Sequence, residues 1–113
     1  MIQEKIESLI FHDKTKDQLI EETITNLSGL LTDTLEGDDL NELKKEFPEG
    51  IQIADIGIQL KAIAIYVHST EFDAPCVEFS IDMTQEKDQV EIGTYSLVFN
   101  EKGEQIDEIL NLF

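Results

Sequence analysis

The chain has no arginine, no tryptophan and only one cysteine in 113 residues. A lone thiol, Cys76, excludes an internal disulfide framework, so stability must come from a packed core. Without arginine, there is no planar guanidinium fork to grip a phosphate or carboxylate at two points. There are two prolines, Pro48 and Pro75, and no low-complexity stretch, which excludes a polyproline or linker-type chain. No apolar run approaches the roughly 20 residues that a membrane-crossing helix needs. The first ten residues, MIQEKIESLI, carry acids and no long apolar block. A secretory signal is therefore not expected, and a cytoplasmic setting is.

What the chain has in excess is negative charge. Asp and Glu number 25 against 8 lysines, a net charge of −17 at pH 7. The acids run through the whole chain and do not form a tail, so the folded body itself is negative. Such a body repels nucleic acid and anionic membranes, since both need lysine and arginine to neutralise phosphate. It attracts basic proteins and speeds their encounter. A hydrophobic fraction of 41% is typical of globular chains, and the length suits one domain over 1–113.

Apolar periodicity divides the chain in two. Over 3–11, Ile2, Ile6, Leu9 and Ile10 fall at helical spacing. Thr15 then opens a second helix, with Gln18 placed for a capping box and Ile20, Ile24, Leu27 and Leu31 as its apolar stripe. A third, short helix is expected after Asp38 or Asp39, burying Leu40, Leu43 and Phe47 and stopping at Pro48 and Gly50. From Ile51 the period drops to two. Residues 51–67 are rich in β-branched side chains, Gly57 is a candidate bulge, and 62–67 is apolar on both sides, as in a central strand. In 76–84, Val77, Phe79, Ile81 and Met83 alternate with Glu78, Ser80 and Asp82. Residues 90–99 form another strand, with Gly93 as a register-changing bulge. Asn100–Gly103 reads as a hairpin turn, and 104–113 fits either a helix or an edge strand. The expected architecture is α+β, with N-terminal helices (1–48) packed on an antiparallel meander of three to four strands (51–113).

Few constellations suggest chemistry. His68, Glu71, Asp73 and Cys76 are potential metal ligands within nine residues, but their spacing matches no closed zinc motif. Asp33, Glu36, Asp38, Asp39 and Glu42 fail the calcium-loop order, because Gly37 precedes the paired aspartates. Two histidines and no arginine make a catalytic triad a poor fit, so no catalytic residue, metal or cofactor is expected. The remaining signal is the acidic surface. Glu78 and Asp82 share the outer side of one strand, Glu91 begins the next, and Glu71 and Asp73 extend the patch into the adjoining loop. Charged outer faces also serve solubility and protect sheet edges.

The stretch Gly93–Glu108, a strand with aromatic and aliphatic residues followed by Asn-x-x-Gly and Ile-Asp-Glu, resembles the closing hairpin of several small acidic bacterial immunity proteins, the antidotes of polymorphic or contact-dependent toxins. The resemblance spans about 16 residues and carries over no binding residue. It implies an intracellular inhibitor that neutralises a basic effector, such as a nuclease toxin; the acidic surface, and not the resemblance, makes Glu71, Asp73, Glu78, Asp82 and Glu91 the expected contacts. Two other readings share the composition. One is a nucleic-acid mimic of the anti-restriction or anti-CRISPR type. The other is a self-associating regulatory protein using the apolar side of 62–67 as a homodimer interface.

Overall fold

A computed structural model describes residues 14–37, 42–72 and 74–113. Among the described residues, one α-helix, α1 (Lys16–Leu35), precedes four strands: β1 (Ile56–Tyr66), β2 (Cys76–Gln85), β3 (Glu91–Asn100) and β4 (Gln105–Leu112). The strands form one antiparallel sheet in the order β1-β2-β3-β4, each paired with its sequence neighbour. This is the expected α+β architecture with the helix ahead of the sheet. The anticipated helix at 3–11 and the cap at Asp38 or Asp39 lie outside the described residues.

Helix α1 starts where its capping chemistry puts it. Thr15 Oγ1 accepts from the Gln18 backbone N–H at 3.1 Å, and Gln18 Oε1 accepts from the Thr15 N–H at 2.8 Å. Two otherwise unpaired backbone donors are thereby satisfied. The buried stripe is Leu19, Thr23, Leu27, Leu31 and Thr34, rotated from the expected one, and Ile24 is exposed. The difference comes from threonine. Thr23 Oγ1 donates to the Leu19 carbonyl one turn back at 2.7 Å, so its hydroxyl is satisfied and its methyl can be buried. After α1 the chain makes a 3-10 turn at Glu42–Glu46, buries Phe47, and makes another at Ile53–Asp55 before entering β1. The helix packs on β3 and against these two turns.

The inner face of the sheet is apolar. Val77, Phe79, Ile81 and Met83 of β2 pair with Phe99, Leu97, Tyr95 and Gly93 of β3, and all the side chains among them are buried. Phe79 and Phe99 meet edge to face with ring centroids 5.7 Å apart. Phe47, Leu27 and Leu31 belong to the same cluster.

Two details differ from the sequence expectation and a third refines it. Strand β1 is an edge strand and not a central one. Its outward side carries only small or polar residues, with Ala62 and Ala64 beside Gln59 and Tyr66, so it needs no second covering layer. The bulge of β1 falls between Leu60 and Ala62, at Lys61, and Gly57 sits in regular register opposite Thr84. That extra residue brings both Leu60 and Ile63 to the inner side, three positions apart within one strand. The third detail concerns β3, whose register shift lies beside Gly93, with Ile92 as the additional residue. Gly93 itself is required by the approach of β4, since a Cβ there would run into the Asn111 carbonyl. The ambiguous segment 104–113 is strand β4. Its turn is tied by Asn100, whose Oδ1 accepts from the N–H groups of Lys102 (2.9 Å) and Glu104 (3.0 Å), with Gly103 at φ +79°.

Candidate functional site

The outer face of the sheet, opposite α1, is where the carboxylates gather. Strict alternation along β2 puts Glu78, Ser80, Asp82 and Thr84 on this side. Register then fixes their neighbours. Glu78 lies between Ala64 and Val98, Ser80 between Ala62 and Ser96, Asp82 between Gln59 and Thr94, and Thr84 between Gly57 and Glu91. Across β3, Asp107 of β4 is opposite Val98 and adds another acid to this side. Glu78 and Asp82 are four residues apart, about 13 Å along the strand.

The face has two acidic ends with a neutral middle. In the middle, the Ser80 and Ser96 hydroxyls bond each other at 3.0 Å. At one end, the Tyr66 hydroxyl donates to Glu78 Oε1 at 2.7 Å, and the Tyr66 ring meets Phe72 edge to face at 5.4 Å. This hydrogen bond raises the Tyr66 phenol to about 12, with further contributions from burial and from the negative charges of Glu78, Cys76 and Glu71. Glu71 is exposed in the adjoining loop, which is shaped by Ser69 Oγ accepting from the Glu71 and Phe72 N–H groups. The contact of the neighbouring Phe72 with Tyr66 puts this loop at the same end as Glu78.

The other end is concave. A depression of about 350 Å³ is lined by Gly57, Ile58 and Gln59 of β1, Asp82 and Thr84 of β2, Glu86 and Gln89 of the following turn, and Glu91 of β3. Three carboxylates thus share one shallow hollow with no lysine in its lining. The turn that carries Glu86 is held at several points. The Glu86 N–H donates to the Asp55 carbonyl (2.9 Å), Gln85 N–H to Val90 (2.8 Å), and Gln89 N–H to Gln85 (2.7 Å). Gly57 leaves room for Glu86, since a Cβ would stand 3.0 Å from Glu86 Cγ and 3.2 Å from Thr84 Oγ1. The larger surface depressions differ in charge. A hollow of about 610 Å³ near Phe47 is lined by Lys44 and Lys45, and one of about 460 Å³ mixes Lys87 with Glu49, Asp55 and Glu86.

No protein-family model, curated protein or solved structure matches the chain. The site is therefore read from its geometry.

Of the five residues expected to bind a partner, the structure puts Glu78, Asp82 and Glu91 on one face and Glu71 at its margin. Asp73 lies outside the described residues. Sequence reading missed Glu86 and Asp107. Alternation along β4 could have flagged Asp107 had the segment been read as a strand. Glu86 sits in a turn, and no period reports where a turn side chain points. Lysine is sparse on this face. Lys61, at the bulge, comes within 4.0 Å of Asp82, with both side chains well exposed, and such a surface pair adds little stability.

Of the metal-like set, Asp73 lies outside the described residues. Cys76 is fully buried and His68 is exposed. Among the described residues, no group of three or more His, Cys, Asp or Glu side chains is placed to hold a metal ion. No helix among them is long and apolar enough to cross a membrane.

Proposed function

We propose that the protein is an inhibitor of the immunity type, which binds a basic protein effector through the outer face of its sheet. The observation that supports this most is the hollow lined by Asp82, Glu86 and Glu91, where the one nearby lysine, Lys61, reaches only Asp82 at 4.0 Å. A concave, negatively charged surface on a rigid sheet focuses field toward a cationic partner and presents fixed acceptors to lysine or arginine side chains. Glu78, with Glu71 at its margin, supplies a second acidic point at the far end of the same face. A nuclease is a fitting effector, because a cleft that holds nucleic acid is itself cationic. The net charge of −17 and the hairpin resemblance favour the same reading.

The carboxylates are less suited to imitating a nucleic-acid backbone. A mimic needs closely repeated charge along a line, whereas Ser80 interrupts the acids of β2.

Affinity capture tests the proposal. Wild-type protein and an Asp82→Lys/Glu86→Lys/Glu91→Lys variant are immobilised and exposed to native lysate. The wild type is expected to retain a basic protein whose nuclease activity it inhibits, and the variant is expected neither to retain nor to inhibit it. Equal capture and inhibition by both proteins would rule out the acidic face as the binding surface.

A further inference from the structure

The edge strand β1 departs from the rest of the chain in charge. No Asp or Glu occurs between Asp55 and Glu71, although acids make up 25 of 113 residues. Strand β1 fills most of that interval and, among the described residues, pairs only with β2. Its other edge therefore presents backbone N–H and C=O groups over an eleven-residue strand. Proteins commonly blunt such an edge with charge, proline or brevity. Here the strand is long and has no proline, and its blunting is confined to the middle, where Lys61 sits at the bulge, leaving uncharged segments 56–60 and 62–66 on either side. The opposite edge, β4, carries Asp107 and Glu108.

We infer that the free edge of β1 accepts a strand from the basic partner, one in which lysine or arginine alternates with aliphatic residues. This rests on the acidic-face reading above and specifies how the partner engages that face. The alternation follows from the two sides of β1. On the inner side, Ile58 and Leu60 are each 39% exposed, so an added strand would cover them with aliphatic side chains. On the outer side, the added strand would lie about 4.8 Å beyond β1 and about 9.6 Å from β2. Gly57, Ala62 and Ala64 raise no long side chain in between. Because the bulge at Lys61 reverses the phase of β1, a strictly alternating strand engages one half at a time: basic residues opposite Ala62 and Ala64 are in line with Ser80 and Glu78, or opposite Gly57 and Gln59 they reach the hollow of Asp82 and Glu86. A second copy of this chain is a poorer occupant, since the outward positions of its own β1 (Gly57, Gln59, Ala62, Ala64 and Tyr66) bring no cation to those carboxylates.

The test uses a blocked ten-residue peptide of alternating lysine and valine, and the same peptide N-methylated at alternate residues so that its charge is kept and its ladder donors are lost. Each is titrated into the full chain, with hydrogen exchange read at the β1 amides. The expected result is new protection in β1 with the first peptide and at least tenfold weaker binding of the second. Ala62→Lys, an exposed substitution, should weaken the first peptide to a similar degree. Equal binding of both peptides without β1 protection overturns strand addition and leaves the acidic-face reading standing. Failure of the first peptide to bind also overturns it, and the acidic-face reading is then decided separately by the capture experiment. A protein that is dimeric by itself, with β1 already protected, overturns it in favour of a second copy.

Discussion

The two sides of strand β2 share one backbone and have opposite compositions. Inward, Val77, Phe79, Ile81 and Met83 are all but inaccessible to solvent. Outward, Glu78, Ser80, Asp82 and Thr84 are partly exposed and meet neutral or acidic neighbours. Burial of apolar area on the inner side drives folding. The outer side buries less, at Cys76 and at Val98 opposite Glu78, and clustered like charges there oppose compaction. The two faces therefore differ in their tasks: the inner one carries most of the stability, and the carboxylates of the outer one are open to a partner.

Substitutions on each side can break or sharpen this division. The largest expected effect is on the inner side. Phe79→Ala removes a fully buried ring and its edge-to-face contact with Phe99, and should cost about 3–5 kcal/mol in denaturant unfolding. A cost below about 1 kcal/mol would mean that the inner face is not the core it is taken to be. Next comes Asp82→Lys/Glu91→Lys on the outer side. Stopped-flow association with the basic partner should slow at least tenfold at low salt and lose most of its ionic-strength dependence, while the denaturation midpoint holds or rises. A large loss of stability in this variant would show that the outer carboxylates are structural.

Thr15→Ala acts on the inner layer from a distance. It removes the cap of the helix that covers that layer and should cost about 1 kcal/mol of stability without changing partner association. The smallest effect is at Glu78→Gln. Tyrosine carbon NMR should show the Tyr66 titration fall from about 12 toward the usual value near 10. The sign follows from the neutral phenol being the favoured form in the fold. Its stabilising contribution is complete below pH 10, the unfolded value, and is lost as pH rises through about 12. At neutral pH the unfolding free energy therefore carries the full Tyr66–Glu78 interaction, and at pH 12 most of it is gone.

The inner side of β2 was legible from the sequence because strict alternation leaves one solution, and the same alternation put Glu78 and Asp82 outward. The start of α1 was legible because Thr15 and Gln18 are spaced for reciprocal capping. The buried stripe of that helix was not, since Thr23 and Thr34 count as polar until their bonding is known. The edge position of β1 was hidden for a related reason. Ala62 and Ala64 count as apolar, but they are small enough to sit on an open face. Of the site, the strand acids could be read from the pattern, and Glu86 could not, because it reaches the hollow through the turn after β2 and the room left by Gly57.

The most direct test is an amide chemical-shift map of the labelled protein saturated with its basic partner. The largest changes are predicted at Glu78, Asp82, Glu86, Glu91 and the β1 residues beside them, with the buried helix positions Leu27 and Leu31 nearly unmoved. A map centred on α1 or on the lysine-lined hollow near Phe47, with the outer sheet face undisturbed, would contradict the account.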